Sequence, residues 1–186
     1  MTHLHFNIGT LNVHGLVPSE LSIPEISGAL AARSNAEAPV LAGFTKVLAD
    51  GTHLPAGASR TDHVAVIDHS TSLMWSVESL GRKDDADDGI TQEACEARCR
   101  ELTLLGANDW RLPTRAELAA LVDDTRHEPA IDTSLFPRVK PRWHWTSTPC
   151  PWSSASAWLV YFGGGGVGYF PRNDDGFALA VRRAGQ

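Results

Sequence analysis

Residues 108–118 read Asn-Asp-Trp-Arg-Leu-Pro-Thr-Arg-Ala-Glu-Leu, and the organisation of the chain follows from them. Thr114 with Glu117 three residues later is a capping box, so a helix starts at 115 with Leu118, Leu121 and Val122 as its apolar stripe. Trp110 is expected to be buried, and Arg111 offers a planar fork to a carboxylate or a carbonyl. As it stands, the segment is a structural corner between two helices and needs no ligand. Upstream, Thr91 can cap a helix running to about Leu104, with Cys95, Arg98, Cys99 and Leu102 on one face. Before that, Val64–Asp68 and Leu73–Trp75 read as short strands around the turn 69–72. Past Pro141 the chain turns aromatic and alternating: Trp143–Thr148, Trp158–Phe162, a glycine-rich turn at 163–166, and Val167–Phe170. A last strand is expected over Phe177–Arg183. Two helices followed by a meander of about four strands is an α+β layout.

Leu73-Met74-Trp75, Ala94 to Cys99, Asp109 to Thr114 and Glu117-Leu118 are joined downstream by Trp145 to Thr148, Ala157 to Phe162 and Ala180 to Arg183. In this order the motifs resemble the C-terminal domain of the collagen-like bacterial adhesins, the Lcl_C family, over roughly residues 64–184. The resemblance implies a C-type-lectin-like fold, with two helices packed on a small, twisted antiparallel sheet. It also implies ligand binding by the late strands and their loops, and it is silent on residues 1–60. Formylglycine-generating enzymes and the diversified tropism proteins of phages share that fold.

The chain has 186 residues and a net charge of −6, and no run of Lys or Arg offers a basic patch, so nucleic acid is not an expected partner. No stretch approaches the 18 apolar residues of a membrane span, and Met1 to Val13 lacks the pattern of a secretory signal. Three cysteines, Cys95, Cys99 and Cys150, cannot close a disulfide framework, which points to synthesis in a reducing cytoplasm. A virion-associated protein released by lysis would look the same. Leu4–Val13 alternates as a half-buried strand, and Ser22 with Glu25 starts a short helix carrying Ile26 and Leu30. Residues 34–60, rich in Ala, Gly and Pro, read as a joint. The expected division is therefore an N-terminal strand-helix extension for attachment or homo-oligomer formation at 1–60, and a ligand-binding domain at 61–186.

If Trp158, Val160 and Phe162 point inward, alternation leaves Leu159 and Tyr161 facing out. The expected ligand-binding residues are Tyr161, Tyr169, Arg172, Asn173 and Asp174, with Trp152 as an aromatic anchor, because rigid tyrosines beside adaptable polar groups suit recognition surfaces. Trp110, Arg111, Pro113, Trp145, Trp158 and Arg182 are expected to be scaffold. Gly163, Gly165 and Gly168 formally make G-x-G-x-x-G, but a strand and a proline follow where a phosphate-binding helix would be needed, so a hairpin is expected. The acidic run Asp84–Asp88 lacks EF-hand spacing and reads as solvated. Cys95 and Cys99 have no partner at zinc-site spacing and read as small buried hydrophobes. Cys150, between two prolines, is expected on a more exposed loop, where a bridge stays open. No cofactor or metal is expected. The function expected is non-enzymatic binding, by a phage-encoded protein, of a host surface glycan or protein. The rivals are an intracellular phage inhibitor of a host protein and a formylglycine-generating type of enzyme.

Overall fold

The computed structural model describes residues 43–185, so the strand expected at Leu4–Val13 and the helix expected from Ser22 lie outside the described residues. In chain order come β1 (Phe44–Val47), β2 (His53–Pro55), β3 (Ala65–Asp68), β4 (Leu73–Ser76), α1 (Gln92–Arg100), a 3-10 turn (Leu104–Gly106) and α2 (Arg115–Ala119). They are followed by β5 (Trp143–Cys150), β6 (Ser153–Tyr161), β7 (Gly166–Pro171) and β8 (Val181–Arg183). The architecture is α+β, with strands predominating. One antiparallel sheet has the order β2-β1-β3-β4-β8, and a second has β5-β6-β7.

Every residue of β3 and β4 is buried. Side chains alternate across a strand, so burial at each position means that both faces of the sheet are covered. The two sides belong to different cores. Ala65, Ile67 and Met74 pack with Cys95, Cys99 and Trp110, whereas Val66, Trp75 and Val181 pack with Leu118, Phe136 and Leu179. The smaller sheet is divided likewise: Trp145 and Leu159 join the first core, Val160 and Phe162 the second. This corrects the expectation that Leu159 faces out. Alternation assigns one wet face only when the other side of a sheet is open, and β6 is a central strand between two cores.

Three further expectations change. The segment 34–60, read as a joint, supplies the β1–β2 hairpin, and β1 pairs with β3 from Phe44↔Asp68 to Val47↔Ala65. β1 and β3, on either side of residue 60, thus belong to one hydrogen-bonded sheet. The final strand does not complete a four-stranded meander: β8 crosses to the larger sheet and pairs with β4. Both helices are also shorter than their apolar stripes suggest. α1 ends at Arg100, and the chain then turns through Leu105 at φ 58°. α2 spans five residues, with Leu121 buried just beyond its end.

The helix starts form as read. Thr91 accepts from the Ala94 N–H, and Thr114 from the Glu117 N–H while the Glu117 carboxylate accepts from the Thr114 N–H. Trp110 is buried with its indole N–H donating to the Leu104 carbonyl at 3.2 Å. Cys150 is buried, not exposed, because it closes β5 opposite Ser153, and all three cysteines are free thiols.

Candidate functional site

The pairing of β6 with β7 sets Trp158 opposite Tyr169, and the turn after β5 returns Trp152 over both. The three rings meet edge to face, with centroids 5.7 Å (Trp152–Trp158), 5.4 Å (Trp152–Tyr169) and 5.6 Å (Trp158–Tyr169) apart. Such contacts favour this geometry by about 0.5–1.5 kcal/mol each beyond the area they bury. Yet Trp152 remains 63% and Tyr169 49% exposed, and Val167 on the same face is 46% exposed. The result is a fixed aromatic platform that is wet on its outer side.

Arg115 completes it. Its guanidinium carbon lies 4.4 Å from the centre of the Trp158 ring, a cation–π contact. Its position is set by the corner described above. The Thr114 capping box fixes where α2 begins, and the Arg115 N–H donates to Thr148 Oγ1 at 2.9 Å, tying the helix start to β5. Arg111 grips Glu117 with two hydrogen bonds of 2.7 and 2.9 Å. With the backbone N–H of Thr114, that grip holds the Glu117 carboxyl down at about 2 against the cost of burial. Arg115 itself is exposed, and no carboxylate pairs with it among the described residues.

The six residues expected to bind ligand are not gathered in one place. Trp152 and Tyr169 stand together on the platform. Tyr161 lies on the opposite face of the sheet, tilted against Trp143 with ring centres 5.0 Å apart. The glycine run explains its setting, because a Cβ on Gly163 would fall 2.2 Å from the Tyr161 ring. Gly165, at φ 78°, makes the β6–β7 turn, so the G-x-G-x-x-G spacing reflects a hairpin. Arg172 is engaged in the fold: it donates to the Ser154 carbonyl at 3.0 Å and to Gln92 Oε1 at 2.5 Å. The buried Gln92 side chain in turn donates to the Thr146 carbonyl. Asn173 and Asp174 are exposed in the following turn.

Trp158 and Arg115 join this candidate surface without being expected there. Trp158 reads as core because its neighbours alternate. The signal for Arg115 is a cation at a helix start, where the helix dipole disfavours positive charge.

Two grooves lie apart from these rings. One of about 670 Å³ is lined by apolar groups that include Phe44, Leu121 and Phe136. One of about 500 Å³ lies between Arg172, Asn173 and the acidic first turn of α1. The acidic run is exposed; within it Asp87 pairs with Lys140, and Asp88 with Arg82. No group of three or more His, Cys, Asp or Glu suited to a metal occurs among the described residues. Nor is any helix among them long and apolar enough to cross a membrane.

The pattern of the Lcl C-terminal domain matches residues 64–182, more than half of the chain. The chain belongs to the Lcl C-terminal domain family. No curated protein matches it. The Lcl domain so defined includes most of both cores, the capped corner, Arg115 and the three platform rings, and leaves outside the β1–β2 hairpin, whose Val47 belongs to the first core.

Proposed function

We propose that this chain is a non-enzymatic ligand-binding protein of C-type-lectin-like fold that recognises a glycan or protein displayed on a surface through Trp152, Trp158, Tyr169 and Arg115. Membership of the Lcl family supports an adhesin-like binding domain. One observation carries the choice of site: three aromatic rings locked edge to face with their outer sides left in water. Large exposed aromatic groups that are already rigid lose little freedom on binding, and such residues dominate the energy of recognition surfaces.

The rival enzyme would need reactive thiols. Cys95 and Cys99 are buried, and burial pushes both thiols up, Cys99 to about 12. A thiol held protonated is a poor nucleophile, and this favours the binding reading.

The test measures binding to intact bacterial cells and to a glycan array for Trp152→Ala, Tyr169→Ala and Tyr161→Ala. Each of the first two should weaken binding by about 30-fold, the scale of a central aromatic contact, with a near-native melting curve. Tyr161→Ala should bind as the parent does. Full binding by the Trp152→Ala, Tyr169→Ala double variant would overturn the assignment.

A further inference from the structure

The two sheets have four edges, and three of them are blunted. β2 is three residues long and ends at Pro55. β8 is covered by Arg111, which exchanges both backbone hydrogen bonds with Val181 at 2.9 Å. β5 is covered by the strand-like segment at Phe177, whose carbonyl accepts from the Trp145 N–H at 2.8 Å and whose N–H donates to the Trp143 carbonyl at 2.9 Å. Among the described residues, β7 alone has no cover.

The direction of its free groups follows from the ladder. The Arg172 N–H donates to the Ala155 carbonyl, so even-numbered residues of β7 turn their backbone groups toward β6. Val167, Tyr169 and Pro171 turn theirs away. The N–H groups of Val167 and Tyr169 have no partner among the described residues. Natural proteins guard such an edge with charge, proline or a bulge. Here nothing charged stands between Tyr161 and Arg172, and Pro171 stands only at the far end.

We propose that β7 pairs antiparallel with β7 of a second copy of this chain, joining the two three-stranded sheets into one of six strands. The occupant follows from self-complementarity. A twofold axis between the two Gly168 residues sets Val167 of each copy opposite Tyr169 of the other. Both outward N–H groups and the carbonyls of Val167 and Tyr169 are then used in each strand, while the Pro171 carbonyl already accepts from the Asp174 N–H. The side chains of Val167 and Tyr169 share the exposed face, so each twofold-related pair brings a β-branched side chain against an aromatic ring, a favourable cross-strand match. In this register the charged turn after Pro171 meets the uncharged Gly163–Gly165 turn of the other copy, so like charges do not oppose each other. The interface is self-complementary in the way a closed dimer requires. It also sets two aromatic platforms side by side on one sheet.

An interface of one strand pair is small, so the association is of the transient class and is read over a wide concentration range, roughly 10 to 500 µM. Sedimentation velocity of the full chain should show the mass rising from 20.1 kDa to twice that value. Val167→Lys, at an exposed position, puts like charges on both sides of the axis and should hold the chain at monomer mass with an unchanged near-ultraviolet circular dichroism spectrum. Amide exchange gives a second reading without a variant. The N–H groups of Val167 and Tyr169 should slow as concentration rises, while those of Gly168 and Phe170, already paired to β6, should not change. A monomer at every concentration would overturn the proposal. So would a dimer indifferent to Val167→Lys, which places the interface elsewhere, or exchange at Val167 and Tyr169 independent of concentration.

Discussion

His144 offers a sharp test of the second core. It is fully buried, between Phe162 and Phe177, with ring centres 5.1 and 5.8 Å from its own. Its Nδ1 lies 2.9 Å from the Arg142 carbonyl and its Nε2 2.7 Å from Ser79 Oγ. Ser79 Oγ also accepts from the Lys140 N–H. A carbonyl can only accept, so Nδ1 carries the proton, and Nε2 accepts from the Ser79 hydroxyl. A second ring proton would face that hydroxyl and break the chain of bonds. Burial accordingly pushes the imidazole down from 6.5 to about 4.

A depressed histidine stabilises the fold fully above its unfolded value, and that stability is lost as pH falls from 6.5 toward 4. The gap is worth about 3 kcal/mol in all. Between pH 7.5 and 5.5 the share lost is about 1.3 kcal/mol. With a urea dependence of about 2 kcal/mol per molar, the midpoint should fall by about 0.6 M. His63, also buried and lowered by burial, adds to the loss in the same direction. The comparison is therefore between the parent and His144→Gln, followed by tryptophan fluorescence at fixed ionic strength. The variant starts less stable, but its midpoint should move by about 0.6 M less over that pH interval. Equal slopes for the two proteins would refute the neutral, hydrogen-bonded assignment.

Trp110→Ala removes a buried indole from the first core, together with one of the two donors to the Leu104 carbonyl, which keeps the Ala107 N–H; urea unfolding should show a loss of about 3–5 kcal/mol. The three thiols should react slowly with a thiol reagent in the native state and completely in denaturant, since all are buried and unpaired. Rapid native labelling of Cys95 or Cys99 would contradict the packing described for α1.

What could be read from the sequence was local. The box at Thr114 and Glu117 announces itself in four residues, because capping is satisfied within one turn. β3 and β4 announce themselves by composition. β1 does not, and Lys46 is the reason. A lysine in a four-residue strand reads as a solvent face, yet Lys46 is buried with its ammonium donating to the carbonyls of Ala58 at 2.7 Å and Arg60 at 3.1 Å. The cost of burying that charge is met by a loop 12 and 14 residues away, which no local pattern shows. The same holds for Leu159 and for β8: a second covered face, or a strand that leaves its meander, is decided by distant segments.

The motif that reads as a mere corner positions Arg115 of the proposed site. An arginine at the first helical position is disfavoured by the helix dipole by roughly 0.3–1 kcal/mol, and a contact over an indole returns about 0.5–1 kcal/mol at an exposed position. The two terms are of one size, so neither alone decides where the side chain rests. The corner supplies the difference. With Glu117 held by Arg111 and by the Thr114 N–H, and the Arg115 N–H held by Thr148, the backbone at 114–115 is fixed where the Arg115 side chain reaches the Trp158 ring. Loosening the corner should therefore free Arg115 before it unfolds the domain. Glu117→Gln removes the ionic grip and keeps the side-chain length. It should lower the quenching of Trp158 by the cation and weaken ligand binding while the domain stays folded. Unchanged binding in that variant would mean that Arg115 reaches its place without the corner.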